Sequence, residues 1–340
     1  MTRVAVVGAG AMGKHHARIY NELPECELVA VVDENEARAQ DVARLHGSRP
    51  YRDIETMLER ERPDAVSVAT PTQSHVTVAL AMLEAGCHVL VEKPIAATLE
   101  DARELVRTAE RSGRVLMVGH VERYNPAIIE LKRRLDAGEL GRIFQIGARR
   151  LGPFPPRIRD VGVVVDLATH DLDIMRYLTG SEAVRVYAET KREVHTSNED
   201  LFAGMVRFAN GTLGVMEINW LTPTKVRELS VTGERGMFRA DYLTQDLHFF
   251  ENAELNGGAW TAMSVLGGVS EGSMTRYAFV KREPLRVELE AFLAAVRGDC
   301  SRQVHGRDGV MALALALALI ESAESAQVKL IDQREAVGTT

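Results

Sequence analysis

Three side chains in this sequence are of the types that moving a proton and steadying a charge would need. His170 stands four residues after Asp166 in the run Asp166-Leu167-Ala168-Thr169-His170-Asp171-Leu172-Asp173. On a helix that spacing puts the carboxylate and the imidazole on one face. A neutral imidazole accepts an alcohol proton near pH 7. Lys93, between Glu92 and Pro94, offers a cation for a developing alkoxide, and the position before proline holds its backbone extended. A base, a cation and an assisting carboxylate suit the oxidation of an alcohol, which loses a proton and a hydride. A structural histidine and a surface lysine are the bland alternatives. His and Asp also ligate metals, but one Asp-x3-His pair is a weak metal pattern, so no metal is expected.

A hydride needs an acceptor, and the first residues suggest one. Gly8-Ala9-Gly10-Ala11-Met12-Gly13 follows the apolar run Val4–Val7 and opens a helical stretch. In that context the first Gly permits a tight turn and the second lets a pyrophosphate approach. The third allows close helix–strand packing, and the helix N-terminus favours the anion. Gly8, Gly10, Ala11, Met12 and Gly13 are therefore expected to cradle a dinucleotide. Asp33 ends the second strand, where an acidic side chain meets the adenosine ribose and repels a 2′-phosphate. NAD is the expected cofactor; no Arg follows immediately, and Arg38 is the nearest. Ala69-Thr70-Pro71-Thr72-Gln73-Ser74-His75 and Val91-Glu92-Lys93-Pro94 each follow a strand. Ligands of open α/β sheets bind at the carboxyl ends of the strands. Thr70, Pro71, His75, Glu92 and Lys93 are accordingly expected at the cofactor edge.

The elements that must hold these residues alternate. Strand-like runs at Val4–Val7, Glu27–Val32, Asp64–Ala69, His88–Val91 and Val115–Val118 are separated by helical stretches. Those are Ala11–Leu23, Glu34–His46, Ser74–Ala85 and Leu99–Ser112. This is the pattern of βαβ units and a doubly wound parallel sheet. After His120 the character changes. Asn125-Pro126 reads as a helix start, with Ala127–Leu135 as the helix. Strands are expected at Ile143–Arg149, Val184–Thr190, Asp200–Phe208, Thr212–Asn219, Val226–Thr232, Gly236–Asp241 and Leu247–Glu251. Helices at Val287–Val296 and near 310–325 close the chain. The second half thus reads as an α+β domain with a mostly antiparallel sheet. The expected domains are 1–121 for NAD binding and 122–340 for substrate binding and oligomerisation.

Composition narrows the functional classes. The chain has 340 residues, 46% hydrophobic and 26% charged, an ordinary globular balance. Against 41 Lys and Arg stand 48 Asp and Glu, a net charge of −7. Such a chain is a poor partner for nucleic acid, whose binding rests on neutralising phosphates, and no helix-turn-helix signal is visible. The Ala/Leu run Val310–Ile320 is about half of what a bilayer needs, so no membrane span is expected. Three scattered cysteines, Cys26, Cys87 and Cys300, form neither a zinc pattern nor a disulfide framework and suggest a reducing, cytoplasmic setting.

Taken together, GAGAMG, ATPTQSH, Glu92-Lys93-Pro94 and Asp166-x3-His170 resemble the glucose–fructose oxidoreductase/inositol dehydrogenase family (Gfo/Idh/MocA) over nearly the whole chain. The resemblance implies a Rossmann domain, then an α/β domain whose open sheet face commonly forms a homo-oligomer interface. It implies catalytic Lys93 and His170 with Asp166 assisting, and a cis peptide before Pro94. The segments 118–126, 149–173 and 219–227 are similar to a subgroup, the UDP-N-acetylglucosamine 3-dehydrogenases, which oxidise the sugar 3-hydroxyl to a ketone. The chain departs from the wider family before Asp166, where Gly162-Val163-Val164-Val165 replaces consecutive glycines. That departure bears on the shape of the sugar pocket.

The residues themselves add a cationic feature. Arg157 and Arg159 stand at alternate positions in the stiff loop Gly152-Pro153-Phe154-Pro155-Pro156-Arg157-Ile158-Arg159. Both could meet a diphosphate through the guanidinium fork, with Lys225 and Arg227 adding charge; salt-bridged surface arginines are the alternative. The expected substrate is a small sugar or nucleotide sugar, foremost UDP-N-acetylglucosamine. Oxidation of an inositol or free sugar is the alternative within the family. A non-catalytic NAD-binding sensor is the alternative outside enzymology, and the joint presence of Lys93, Asp166 and His170 argues against it.

Overall fold

The computed structural model describes residues 1–155, 161–194, 197–253 and 271–333. The chain opens with β1 (Thr2–Val7), α1 (Ala11–Glu22), β2 (Cys26–Val32), α2 (Glu36–Leu45), β3 (Arg49–Tyr51) and α3 (Ile54–Glu61). It continues with β4 (Ala65–Val68), α4 (Thr72–Glu84), β5 (His88–Glu92), α5 (Leu99–Ser112) and β6 (Leu116–Gly119). The six strands pair in parallel in the order β3-β2-β1-β4-β5-β6. Every residue of β4 is buried, as are Val89, Leu90 and Val91 of β5. Both faces are covered, which is why these strands read as unbroken apolar runs rather than as alternation. The strand order reverses between β1 and β4, the position where such sheets bind ligands.

The helix starts differ in a telling way. Asn35, Asp53 and Thr98 each cap their helix, accepting from the backbone N–H of Arg38, Thr56 and Asp101. These bonds satisfy N–H groups that a helix leaves unpaired at its start. α1 and α4, which follow β1 and β4 at the reversal, begin at Gly10 and Pro71 with no side-chain cap. β3 and α3 do not stand out in the sequence. β3 has three residues, one of them Pro50, and sits at the sheet edge, where proline is tolerated.

The second part begins with α6 (Pro126–Asp136), where Asn125 caps by accepting from Ala127 N. β7 (Ile143–Pro153) follows. A π-helical turn at Val164–Ala168 runs directly into α7 (Thr169–Thr179). Then come β8 (Ala183–Lys191), β9 (Leu201–Phe208), β10 (Leu213–Asn219), β11 (Leu221–Gly233), β12 (Gly236–Asp241), β13 (Asp246–Asn252) and β14 (Glu271–Arg276). After α8 (Pro284–Val296) and α9 (Gly306–Ser325), β15 (Lys329–Leu330) joins the same sheet. Its order is β14-β13-β12-β11-β7-β10-β9-β8-β15. All neighbours are antiparallel except β7 and β10. β9 and β10 meet at Asn210-Gly211, where Gly211 takes φ +88°, the left-handed region glycine reaches without strain.

One face of this sheet is buried. Ile146, Val206, Met216 and Val231 share a core with Ile128, Leu131, Leu172, Met175, Leu315 and Leu319. The opposite face carries exposed Met205 and the ion pairs of Arg149 with Glu217 (3.0 Å) and Glu228 (3.6 Å). This is the alternation expected of an antiparallel sheet packed on one side. The Ala/Leu run of α9 is buried from Val310 to Ala316. Among the described residues no helix is long and apolar enough to cross a membrane.

The chain forms two compact units. Met1–Tyr124 with Glu283–Ala314 make the first, and Asn125–Arg282 with Leu315–Ile331 the second. A single boundary at Val121 places Glu283–Ala314 in the second domain, whereas in the structure that stretch clusters with the first. The physical reason lies in α8. It packs on α1, its Leu285, Val287, Leu289 and Phe292 are buried, and Glu283 and Arg286 pair with Arg18 and Glu22 of α1.

Candidate active site

The glycine loop between β1 and α1 has the shape its spacing demands. Gly8 takes φ +97°, and a side chain there would lie 2.5 Å from Ala69 O. A Cβ on Gly13 would meet Gly8 O at 1.7 Å, so only glycine lets α1 lie this close to the loop. Gly10 is different, since a Cβ there would meet nothing within 4 Å among the described residues. The fold does not need that glycine; the open space beside it is where an incoming group can approach the backbone. The N–H groups of Ala11, Met12 and Gly13 begin a helix with no side-chain cap, a ready site for a pyrophosphate. These observations fit a dinucleotide.

Asp33 lies just past β2 and is held in place. Its Oδ2 accepts from Ala9 N (2.8 Å) and its Oδ1 from Asn35 N (2.9 Å). Arg38 Nη1 stands 3.6 Å from Oδ2. The carboxylate thus ties the glycine loop to the end of β2, and its charge faces a guanidinium.

Thr70 and Pro71 form the loop after β4, opposite Gly8. His75 is buried in α4, with Nε2 2.9 Å from Thr70 O and Nδ1 2.8 Å from Pro94 O. Burial holds this imidazole below its usual value, opposed by the two carbonyls. A neutral imidazole has one N–H, so His75 donates to one of these carbonyls and lies against the other, wedged between the Thr70 loop and the Pro94 loop.

Glu92 also turns inward. Its Oε1 lies 2.9 Å from Nε2 of His16 on α1. Burial disfavours its charge, but the His16 hydrogen bond and the nearby His16 and Lys93 charges outweigh burial and hold it below the usual carboxylate value. Lys93 follows at the carboxyl end of β5, half-buried, with a cis peptide to Pro94 as the resemblance implies.

In the second unit, Asp166 sits in the π-helical turn and His170 in the first turn of α7, both half-buried. Asp166 N donates to Gly162 O (3.0 Å) and Thr169 Oγ1 to Val165 O (3.0 Å). Single π-turns inside helices occur frequently at functional sites. The next residue, Asp171, is buried and takes Nε and Nη2 of Arg150 from β7 at 2.8 and 3.0 Å. Arg150 also stacks over the Tyr242 ring, 5.2 Å from its centroid. Sequence reasoning missed this pair, since α7 and β7 meet only in the folded sheet.

The expected arginines Arg157 and Arg159 lie outside the described residues. Arg227 gives its Nη1 to the carbonyls of Leu151 and Val226, so it braces the end of β7, while Lys225 is exposed. Phe154, at the start of the proline-rich loop, packs edge-on against buried Trp220, with ring centroids 5.6 Å apart. Among the described residues no three His, Cys, Asp or Glu side chains come together as a metal site requires.

Comparison with known proteins bears on both units. Residues 2–120 match the model of the Gfo/Idh/MocA oxidoreductase family, NAD-binding Rossmann fold, and residues 128–239 match its C-terminal domain. A UDP-N-acetylglucosamine 3-dehydrogenase from Acidithiobacillus ferrooxidans is 33% identical over 93% of this chain and 95% of its own. Its solved structure superposes with a TM-score of 0.82, covering 95% of this chain and 98% of that one at 32% identity. A D-glucoside 3-dehydrogenase from Escherichia coli is 34% identical over 67% of this chain and 72% of its own. A myo-inositol 2-dehydrogenase from Thermotoga maritima is 26% identical over 95% and 96%. With both of its units matched in order, the chain belongs to the Gfo/Idh/MocA family of NAD-dependent dehydrogenases.

Proposed function

We propose that this dehydrogenase oxidises a secondary hydroxyl of a nucleotide sugar, and specifically the 3-hydroxyl of UDP-N-acetylglucosamine. The observation that carries the proposal is the near full-length likeness to the Acidithiobacillus ferrooxidans enzyme of that activity. The β7–α7 segment, which holds Asp166 and His170, is among the stretches that carry the sequence resemblance.

NAD, when bound, supplies the hydride acceptor. In this reading the glycine loop and Asp33 hold the dinucleotide. The imidazole of His170 takes the proton of the reacting hydroxyl. The ammonium of Lys93 faces the oxygen as charge develops on it, where a preorganised cation stabilises the transition state more than the ground state. Asp166, one turn before His170, orients the base and tunes its charge. Glu92 and His75 fix the Lys93 loop from the buried side. Arg157 and Arg159 are the proposed diphosphate contacts.

The test is a single-turnover absorbance measurement with stoichiometric NAD and a panel of UDP-sugars, free sugars and inositols. Reduced cofactor forming with UDP-N-acetylglucosamine and not with N-acetylglucosamine or myo-inositol is the expected outcome. Reduction by myo-inositol alone would overturn the substrate and favour the second reading, an inositol dehydrogenase, which the Thermotoga maritima relative keeps in view.

A further inference from the structure

We infer that Glu199 is a positioning residue for the reaction: it caps the helical turn that carries Asp166 and His170 and so sets where those two side chains stand. The inference rests on the catalytic reading of Asp166 and His170, and it concerns a residue in a different element, just before β9.

Three contacts converge on this residue. Its backbone carbonyl accepts from Val163 N (2.9 Å), and its Oε1 accepts from Val164 N (3.1 Å). One residue thus satisfies two of the N–H groups that open the π-helical turn. The third contact is steric. A Cβ on Gly162 would lie 2.1 Å from the Glu199 carboxylate carbon. Glycine at 162 therefore leaves room for a carboxylate.

The cap is itself held rigid. Asp200, fully buried, donates its N–H to Lys191 O (3.0 Å) and accepts from Trp220 N through its carbonyl (2.9 Å). Its carboxylate accepts from the N–H groups of Glu193 and Val194. Glu199 is thus presented from a backbone fixed by both neighbouring strands. A π-turn winds more loosely than an α-helix, so its start needs an external anchor more than most. Asp166 N in turn bonds to Gly162 O, so a shift at Gly162 passes directly to Asp166. Side-chain placement matters steeply here, since displacement by about 1 Å can cost on the order of 10²-fold in rate.

The test compares Glu199→Gln, Glu199→Ala and Gly162→Ala in the full chain, with His170→Ala as reference. Gln keeps an oxygen acceptor for Val164 N; Ala removes it; an added methyl at 162 evicts the carboxylate. The expected result is a fall in kcat of about tenfold or more for Glu199→Ala and Gly162→Ala. Affinity for NADH is unchanged, and Glu199→Gln stays within about threefold of the parent, because it retains the cap. Amide exchange over 163–170 accelerates in the first two variants and not in the third. Parent-like kcat and exchange in Glu199→Ala would overturn the inference, as would a Gln variant as impaired as Ala with exchange unchanged. If Glu199→Ala fails to fold, Gly162→Ala decides the matter on the same readouts. Full activity in His170→Ala would defeat the catalytic reading instead, while the exchange data would still test the cap.

Discussion

Two residues at the cofactor edge separate what holds the fold from what serves the reaction. Among the described residues Gly10 has no atom within 4 Å of a would-be Cβ, and its backbone is extended at φ −70°, which any residue adopts. Gly10→Val is therefore expected to leave the melting temperature unchanged and to weaken NADH binding at least about tenfold, because the branched side chain fills the approach to the helix N-terminus. Fluorescence titration and thermal unfolding on one preparation check both halves; an unchanged affinity would remove Gly10 from the site. Gly13 offers the contrast, since its Cβ would strike Gly8 O. Lys93→Met keeps the length of the side chain and removes the charge. Turnover should fall roughly 10²-fold or more with NADH binding intact. Near-normal turnover would show that Lys93 does not face the reacting oxygen. These candidates were legible beforehand because each motif is local: Gly8, Gly10 and Gly13 lie within six positions, and Glu92, Lys93 and Pro94 are consecutive. The inward turn of Glu92 and the wedged position of His75 were not legible, because each depends on a partner brought in by another element, His16 and the Pro94 carbonyl.

Among the elements, α8 carries an unusual group. Glu288 is fully buried, and among the described residues neither carboxylate oxygen has a hydrogen-bond partner. Burial first, then the neighbouring carboxylates Glu92 and Glu122, push it well above the usual carboxylate value. The folded state therefore holds a proton that the unfolded chain releases near pH 4–5. The resulting stability is full below that range and is lost as pH rises toward the folded-state value. Glu288→Gln keeps the shape and cannot ionise. Its melting temperature, relative to the parent, should rise steadily with pH above about 5, and a difference independent of pH would mean that Glu288 is not held protonated. The sequence shows α8 as a mostly apolar helix with several charges; that Glu288 is one of its buried positions depends on what α8 packs against. The same holds for the pairing of β7 with β10, parallel in a sheet otherwise antiparallel. Alternation marks both as strands, and nothing local in either states the direction of its neighbour.

For the molecule as a whole, the chain leaves the first unit near Tyr124 and returns to it at Glu283. Residues 1–124 alone would leave the face of α1 that α8 covers open to water, and exposed apolar surface of that kind drives association. A fragment of 1–124 is expected to aggregate or to melt without cooperativity. The same fragment joined by a flexible linker to 283–314 should unfold cooperatively and bind NADH. A well-folded, NADH-binding 1–124 would show that the return of the chain is dispensable to the first unit.

The amino-acid order was sufficient for the fold class and the cofactor, and it supplied the acid–base residues of the proposed reaction. Those properties rest on short-range rules: the period of apolar residues, the glycine spacing at a strand–helix turn, and paired side chains one helical turn apart. The placement of Glu199 against Gly162 spans 35 residues to its Val164 contact, and the union of α8 with α1 spans far more. Such contacts form between surfaces that exist only once the strands have paired and the helices have packed. Their residue types, a glutamate, a valine, a glycine, are compatible with many environments, so folding alone selects which environment each one meets.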